Sequence, residues 1–123
     1  MKDFKIYAEI SATPEEVYLA MIKPQAIRLW SGADAEMQEE SGTVFSWFDG
    51  DITGEITRLE YGKIIGMKWY FGDLQSEVTL KFHTKGNGTS LEIRQSEIPD
   101  EAFENIKDGW EEMIIPSLSE YFS

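Results

Sequence analysis

The sequence predicts an α+β fold in which an antiparallel sheet of about six to seven strands packs against one long C-terminal helix, with two short helices near the N-terminus. Three observations predict it. Runs with strand-like alternation fill most of the chain between Gly42 and Pro99. Tight-turn signals rich in glycine and aspartate separate these runs, and such short connections join antiparallel strands. From Asp100 onward the apolar residues recur every three or four positions, which is the period of a helix.

The length of the chain fits one domain over residues 1–123. A domain of this size buries roughly two thirds of the surface that its unfolded chain exposes. Hydrophobic residues make up 41% of the chain and aromatic residues 13%, which is enough for a core and unlike a disordered segment.

The first elements are a strand and two short helices. Residues 2–10 alternate apolar and polar side chains, as a half-buried strand does. Thr13 is then a helix N-cap, Pro14 suits the first helical position, and Glu16 completes a capping box. A second proline ends this helix, and residues 25–30 form another short one.

Strands occupy the middle of the chain. Residues 33–40 are an acidic and less regular candidate. Two later strands alternate around Leu80 and Ile93, so each has one solvated face. The remaining strand candidates are Thr43–Phe48, Ile52–Leu59 and Ile64–Phe71.

The C-terminal helix is expected to lie across the sheet, with Asp100 as its N-cap. Pro116 predicts a kink or an early stop, because it removes a backbone donor. Gly109 is unusual inside a helix, where glycine costs about 1 kcal/mol relative to alanine. It indicates either close packing or a soft point over a cavity. The apolar face consists of Phe103, Ile106, Trp110, Met113, Ile114, Leu118 and Tyr121.

Composition excludes several classes of function. The chain has no cysteine, so it has neither disulfides nor thiolate zinc sites. Its net charge of −12 disfavours nucleic acid as a partner. No window has the eighteen or so apolar residues of a membrane span, and the N-terminus lacks the apolar run of a secretory signal. We therefore expect a cytoplasmic protein without a cofactor. Residues 96–123 are strongly acidic, either as a solvated helix face or as a docking surface for a basic partner.

No residue pattern predicts a catalytic or metal site. His83 is the only histidine, and its alternation places it on the solvated face of its strand. Asp49-Gly50-Asp51 lacks the spacing of a calcium loop and is better explained as a tight turn.

Fourteen residues, Gly42–Glu55, resemble the segment that marks the C-terminal domain of the activator of Hsp90 ATPase. The resemblance continues through Met67-Lys68-Trp69, Ser76–Phe82, Thr89-Ser90-Leu91, Gln95, Ile98-Pro99 and Gly109-Trp110. The order of elements is similar to the helix-grip fold of the START and Bet v-type (SRPBCC) superfamily. Single-domain members of this family are similar to small binding proteins, so the resemblance implies that this chain is one.

The resemblance implies a non-enzymatic domain that binds an apolar small molecule or lipid between the sheet and the C-terminal helix. The large apolar side chains are either a closely packed core or the lining of such a cavity. One alternative is a co-chaperone-like module that binds Hsp90 and stimulates its ATPase. Another is a cyclase or dehydratase that uses a polar group such as Tyr7, Tyr18, Asp34 or Tyr121. The expected ligand-binding residues are Trp30, Phe45, Trp47, Met67, Trp69, Leu80, Phe103, Trp110, Met113 and Ile114.

Overall fold

The computed structural model describes residues 1–123 and contains one six-stranded antiparallel sheet with helices on one face. The strands are β1 (Lys2–Ile10), β2 (Val44–Trp47), β3 (Ile52–Glu60), β4 (Ile64–Phe71), β5 (Leu74–Lys85) and β6 (Gly88–Ile98). The helices are α1 (Pro14–Ile22), α2 (Pro24–Ser31), α3 (Phe103–Asp108) and α4 (Ile115–Tyr121). A π-helical segment, Gly109–Ile114, joins α3 to α4 without a break, and we call these three segments the C-terminal helix. None of the helices has the length and apolar character needed to cross a membrane.

The sheet order is β1-β6-β5-β4-β3-β2, and every neighbouring pair is antiparallel. Strands β2 to β6 form a meander, and β1 pairs beside the last of them. The short helices and the C-terminal helix cover the same face of the sheet, which confirms the predicted helix-grip fold.

The core lies between the sheet and these helices. Inward-facing residues of β4, such as Ile65, Met67 and Trp69, are buried, whereas Lys68 between them faces outward. Alternation of this kind buries one face of each strand. One cluster of 28 buried hydrophobic residues joins the sheet to all the helices.

The capping box of α1 is present as the sequence predicts. The amide of Glu16 donates to Thr13 Oγ1 at 3.3 Å, and the amide of Thr13 donates to Glu16 Oε1 at 3.0 Å. These two bonds satisfy backbone donors that a helix leaves free at its start.

The prediction of a strand at residues 33–40 is wrong. Only Glu36 pairs with a strand residue, through two backbone hydrogen bonds to Ser46 of 2.8 and 2.9 Å. The Asp34 carboxylate accepts hydrogen bonds from Arg28 Nε and from the amide of Ala35 instead. Side-chain bonding of this kind competes with strand pairing, so the meander has five strands rather than six.

For the C-terminal helix the expected N-cap is wrong, and of the two alternatives at Pro116, a kink or an early stop, the stop is wrong. Asp100 is not its N-cap, because Asp100 begins a separate 3-10 turn and its carboxylate pairs with the Met1 ammonium at 3.1 Å. The helix does not stop at Pro116 either. The π-helical segment precedes it, and the Ile115 amide bonds to the Trp110 carbonyl five residues back. The wider turn accommodates the proline, and the helix continues to Tyr121.

Candidate functional site

An apolar groove of about 340 Å³ lies between the ends of β3 and β4 and the C-terminal helix. We call it the helix–sheet groove. Eight of its eleven lining residues are hydrophobic. The sheet side consists of Phe48, Asp51, Ile52, Trp69, Tyr70 and Phe71, and the helix side of Asn105, Ile106, Gly109, Met113 and Ile114.

Beneath the groove the interior is filled by four indoles in edge and stacked contacts. Trp30 meets Trp47 at a centroid distance of 6.3 Å, and Trp47 meets Trp69 at 6.0 Å. Trp69 stacks on Trp110 at 5.4 Å with the ring planes 14° apart. These rings contact one another in the interior, and Trp69 also forms part of the wall of the groove.

The ten residues expected to bind a ligand separate into three sets. Trp69, Met113 and Ile114 line the groove. Phe103 lies elsewhere, against Phe4 with a centroid distance of 6.1 Å. The other six are buried in the core and do not line the groove: Trp30, Phe45, Trp47, Met67, Leu80 and Trp110.

Several of the other lining residues belong to sequence patterns that predict local structure but not a groove. Phe71 shares the inward alternation of Trp69 at the end of β4, Ile106 belongs to the apolar face of the C-terminal helix, and Asp51 belongs to the predicted tight turn. Gly109 is also marked in the sequence, as a glycine inside a helical pattern. The lining residues that the sequence did not single out for the groove are Phe48, Asp51, Ile52, Tyr70, Asn105 and Ile106.

A left-handed turn positions Phe48 at one end of the groove. Phe48, Asp49 and Gly50 have φ angles of 54°, 58° and 94°. Left-handed backbone is unfavourable for phenylalanine, and such strain is often found where a ligand is held. The expected tight turn at Asp49-Gly50-Asp51 is present and also includes Phe48.

Asp34 holds this turn in place. The Asp34 amide donates to Asp49 Oδ1 at 2.9 Å, and the Asp49 amide donates to the Asp34 carbonyl at 3.0 Å. Arg28 Nε in turn donates to Asp34 Oδ1 at 2.9 Å. The Arg28 bond and the Ala35 amide hold the pKa of the Asp34 carboxyl below its ordinary value. The turn is therefore connected through Asp34 to helix α2.

Gly109 leaves the helix wall open. A Cβ atom built on Gly109 meets no heavy atom within 4 Å, so no close backbone approach requires glycine there. Gly109 is also the first residue of the π-helical segment. Single π-helical turns inside α-helices are frequent at functional sites. The π-helical segment therefore begins at a glycine that lines the groove.

A buried polar chain anchors the helix below the groove. Trp110 Nε1 donates to Gln95 Oε1 at 2.9 Å, and Gln95 Nε2 donates to Ser76 Oγ at 3.1 Å. Ser76 Oγ donates to the Ser96 carbonyl at 2.6 Å. By contrast, the indole nitrogens of Trp47 and Trp69 are buried without a hydrogen-bond partner.

The polar residues considered for catalysis lie outside the groove. Tyr7 and Tyr121 are exposed, and Asp34 supports the turn described above. Tyr18 is buried beside Tyr61 and Phe82, and burial together with the Glu39 carboxylate raises its pKa to about 12. No group of three or more metal-ligating side chains is present.

His83 lies on the outer face of the sheet, as its alternation predicts. Its Nε2 is 2.9 Å from Glu92 Oε1, and Arg94 Nε donates to the other carboxylate oxygen. Burial raises the pKa of Glu92, but the bonds from His83 and Arg94 outweigh burial and hold the pKa below its ordinary value. The helix–sheet groove opens on the other side of the sheet.

Comparisons with known proteins agree with this architecture. A crystal structure of an HSP90 activator from Plasmodium falciparum superposes with a TM-score of 0.89 at 29% identity, covering 96% of this chain and 94% of that one. The chain is 28% identical to an activator of 90 kDa heat shock protein ATPase homolog from Dictyostelium discoideum, over 99% of this chain and 33% of the relative. It is 29% identical to homolog 1 from Mus musculus, over 89% of this chain and 34% of the relative.

The chain therefore spans about one third of the length of these curated relatives. The family model described as activator of Hsp90 ATPase homolog 1-like protein matches residues 11–123, which is most of the chain. The chain belongs to the activator of Hsp90 ATPase homolog 1-like family.

Proposed function

We propose that this chain is a non-enzymatic binding domain that accepts an apolar small molecule or the apolar part of a larger ligand in the helix–sheet groove. The observation that supports this proposal is the groove itself, with a volume of about 340 Å³ and eight hydrophobic residues among eleven. Ligand pockets have volumes of roughly 300–1,000 Å³ and combine apolar walls with a few polar groups. The cytoplasmic location that the sequence indicates is part of the proposal.

The chemistry of the walls favours binding over catalysis. Apart from the aromatic residues, the polar side chains on the groove are those of Asp51 and Asn105. Both residues are exposed, and neither has a histidine or lysine as a hydrogen-bond partner. General acid–base or nucleophilic catalysis needs a reacting group with an oriented partner.

Gly109 provides a direct test of the proposal. Gly109→Leu places a branched side chain into the open groove, whereas Gly109→Ala adds one methyl group and gives a similar gain in helix propensity. Nile red, a neutral dye whose fluorescence reports an apolar environment, is titrated into the wild type and both variants. We expect saturable binding to the wild type and to Gly109→Ala, and loss of binding in Gly109→Leu. Equal binding by all three proteins would contradict the proposal.

A second candidate function is stimulation of an Hsp90-type ATPase. It is favoured by the family, by relatives named as ATPase activators and by the Plasmodium falciparum HSP90 activator of nearly the same extent. The test measures ATP hydrolysis by an Hsp90-type chaperone from the same source as the chain, at increasing concentrations of the purified chain. We expect a saturable rise in turnover if this function is present. An unchanged rate, together with no complex in sedimentation, would reject it.

A further inference from the structure

We infer that the occupant of the helix–sheet groove is a basic protein segment, which inserts an apolar side chain and places lysine or arginine around it. This inference rests on the proposed function, because it requires the groove to be a binding site. Three observations support it: exposed apolar side chains beside the groove, carboxylates without salt-bridge partners on or next to its lining residues, and the distribution of charge over the molecule.

Exposed apolar side chains extend the groove beyond a closed pocket. Leu74 pairs with Phe71 across the tip of the β4–β5 hairpin, so the two side chains share one face. Leu74 is 41% exposed, and Met113 on the helix side is 46% exposed. Large apolar groups exposed beside a groove are typical of surfaces that dock a partner, and methionine adapts its shape to one.

Four carboxylates belong to residues that line this apolar surface or lie next in sequence to it. Asp51 lines the groove, and Asp73 lies at the hairpin tip between Phe71 and Leu74. Asp108 and Glu112 precede the lining residues Gly109 and Met113 on the helix. All four are exposed, and none forms a salt bridge. Their charges are therefore available to a cationic partner.

The charge distribution over the rest of the molecule also favours a cationic partner. The outer face of the sheet has equal numbers of basic and acidic side chains, so the net charge of −12 lies on the loops and the helical side. A field of this sign attracts cations and repels phosphate and carboxylate head groups. The basic residues of the outer face are Lys5, Arg58, Lys68, Lys81, Lys85 and Arg94.

The geometry therefore selects a ligand that combines an apolar anchor with nearby positive charge. A fatty acid or an anionic phospholipid brings its negative head group against the four carboxylates, so the field opposes it. A peptide segment presents both features on one extended surface, and a buried anchor with complementary charges around it is the usual arrangement at protein interfaces.

The test uses fluorescently labelled peptides of equal length and three chain variants. The probe has a central tryptophan–leucine pair flanked by lysines, and two comparison peptides replace the lysines by glutamates or the apolar pair by serines. The first variant combines Asp51→Asn, Asp73→Asn, Asp108→Asn and Glu112→Gln. The second combines Glu36→Gln, Glu40→Gln, Glu55→Gln and Glu77→Gln, which remove the same charge from residues outside the groove and outside any salt bridge. The third is Gly109→Leu.

We expect fluorescence anisotropy to show binding of the lysine peptide alone. The first variant should lose about tenfold or more in affinity for the lysine peptide, and the second less than about threefold. Added salt should weaken binding of this peptide to the wild type. Gly109→Leu should abolish binding. Equal affinity for the glutamate peptide, or no difference between the two charge variants, would overturn the inference. If Nile red binds and the lysine peptide does not, the inference fails and the proposed function stands; if neither binds, both fail.

Discussion

Trp69 of β4 and Trp110 of the C-terminal helix stack with their ring planes 14° apart and their centroids 5.4 Å apart. This contact joins the sheet to the helix directly below the helix–sheet groove. The two indoles differ in one respect: Trp110 Nε1 donates to Gln95, whereas Trp69 Nε1 is buried without a partner. Trp30 and Trp47 show the same difference, since Trp30 donates to the Ala20 carbonyl at 2.8 Å and Trp47 has no partner.

The four tryptophans therefore form a matched series for substitution by phenylalanine. Each change removes similar volume from the core, but only Trp30→Phe and Trp110→Phe remove a hydrogen bond and leave an acceptor unpaired. We expect these two to lose about 1–3 kcal/mol more of the free energy of unfolding than Trp47→Phe and Trp69→Phe. Urea denaturation followed by circular dichroism measures the difference. Equal losses in all four variants would show that the indole hydrogen bonds contribute nothing.

A pair of glycines predicts opposite effects of alanine. At Gly109 the added methyl group meets open space, and the helical backbone favours alanine by about 0.5–1 kcal/mol. At Gly54 in β3 the added Cβ lies 1.8 Å from the Lys68 carbonyl oxygen, so the paired strands must move apart. We expect Gly109→Ala to raise the melting temperature and Gly54→Ala to lower it by several degrees. The prediction for Gly109 is wrong if its variant melts below the wild type.

The geometry of the turn at Phe48–Gly50 predicts that the free energy of unfolding depends on the side chain of Asp49. Asp49 has a φ of 58° and accepts a hydrogen bond from the Asp34 amide. Asparagine tolerates left-handed backbone and retains the acceptor, whereas alanine does neither well. We expect Asp49→Ala to cost about 1–3 kcal/mol in unfolding free energy and Asp49→Asn to cost less than about 1 kcal/mol. Chemical denaturation of both variants measures this, and similar losses would contradict the role given to the side chain.

The lowered pKa of Glu92 predicts that the folded protein loses stability in acid. Burial opposes ionisation of this carboxyl, but the hydrogen bonds from His83 and Arg94 outweigh burial, so its pKa in the folded state is below the ordinary value of 4.5. The unfolded state therefore binds more protons as the pH falls. The stability that Glu92 contributes is fully present above pH 4.5 and is lost as the pH falls through the folded-state pKa.

Urea denaturation at neutral pH and at successively lower pH, to well below 4.5, tests the prediction with Glu92→Gln. At neutral pH we expect this variant to lose about 1–3 kcal/mol, because Arg94 loses a charged partner. Its stability should then fall less steeply than that of the wild type toward low pH. Glu77→Gln is the matched control, since Glu77 lies on the same sheet face without a salt bridge. Parallel pH profiles of wild type and Glu92→Gln would refute the assignment.

The order of the elements follows from local sequence signals, because each element is encoded by neighbouring residues. The Thr13 and Glu16 capping box, the alternation in β4 to β6 and the glycine turns all act over a few positions, and all appear in the structure. The segment at residues 33–40 departs from expectation because Asp34 bonds to Arg28 and to Asp49, which is 15 residues away. Long-range side-chain bonds of this kind leave no local pattern.

The site was decided by the tertiary structure. Sequence alternation identifies residues that face inward, but it does not distinguish Trp47, which is packed in the core, from Trp69, which lines the groove. That distinction depends on how four indoles fill the interior and on where the C-terminal helix crosses the sheet. The π-helical segment at Gly109–Ile114 also changes the helical phase, which leaves Met113 at the groove mouth while Trp110 and Ile114 are buried. Packing between distant segments sets these positions, and local sequence periodicity contains no information about it.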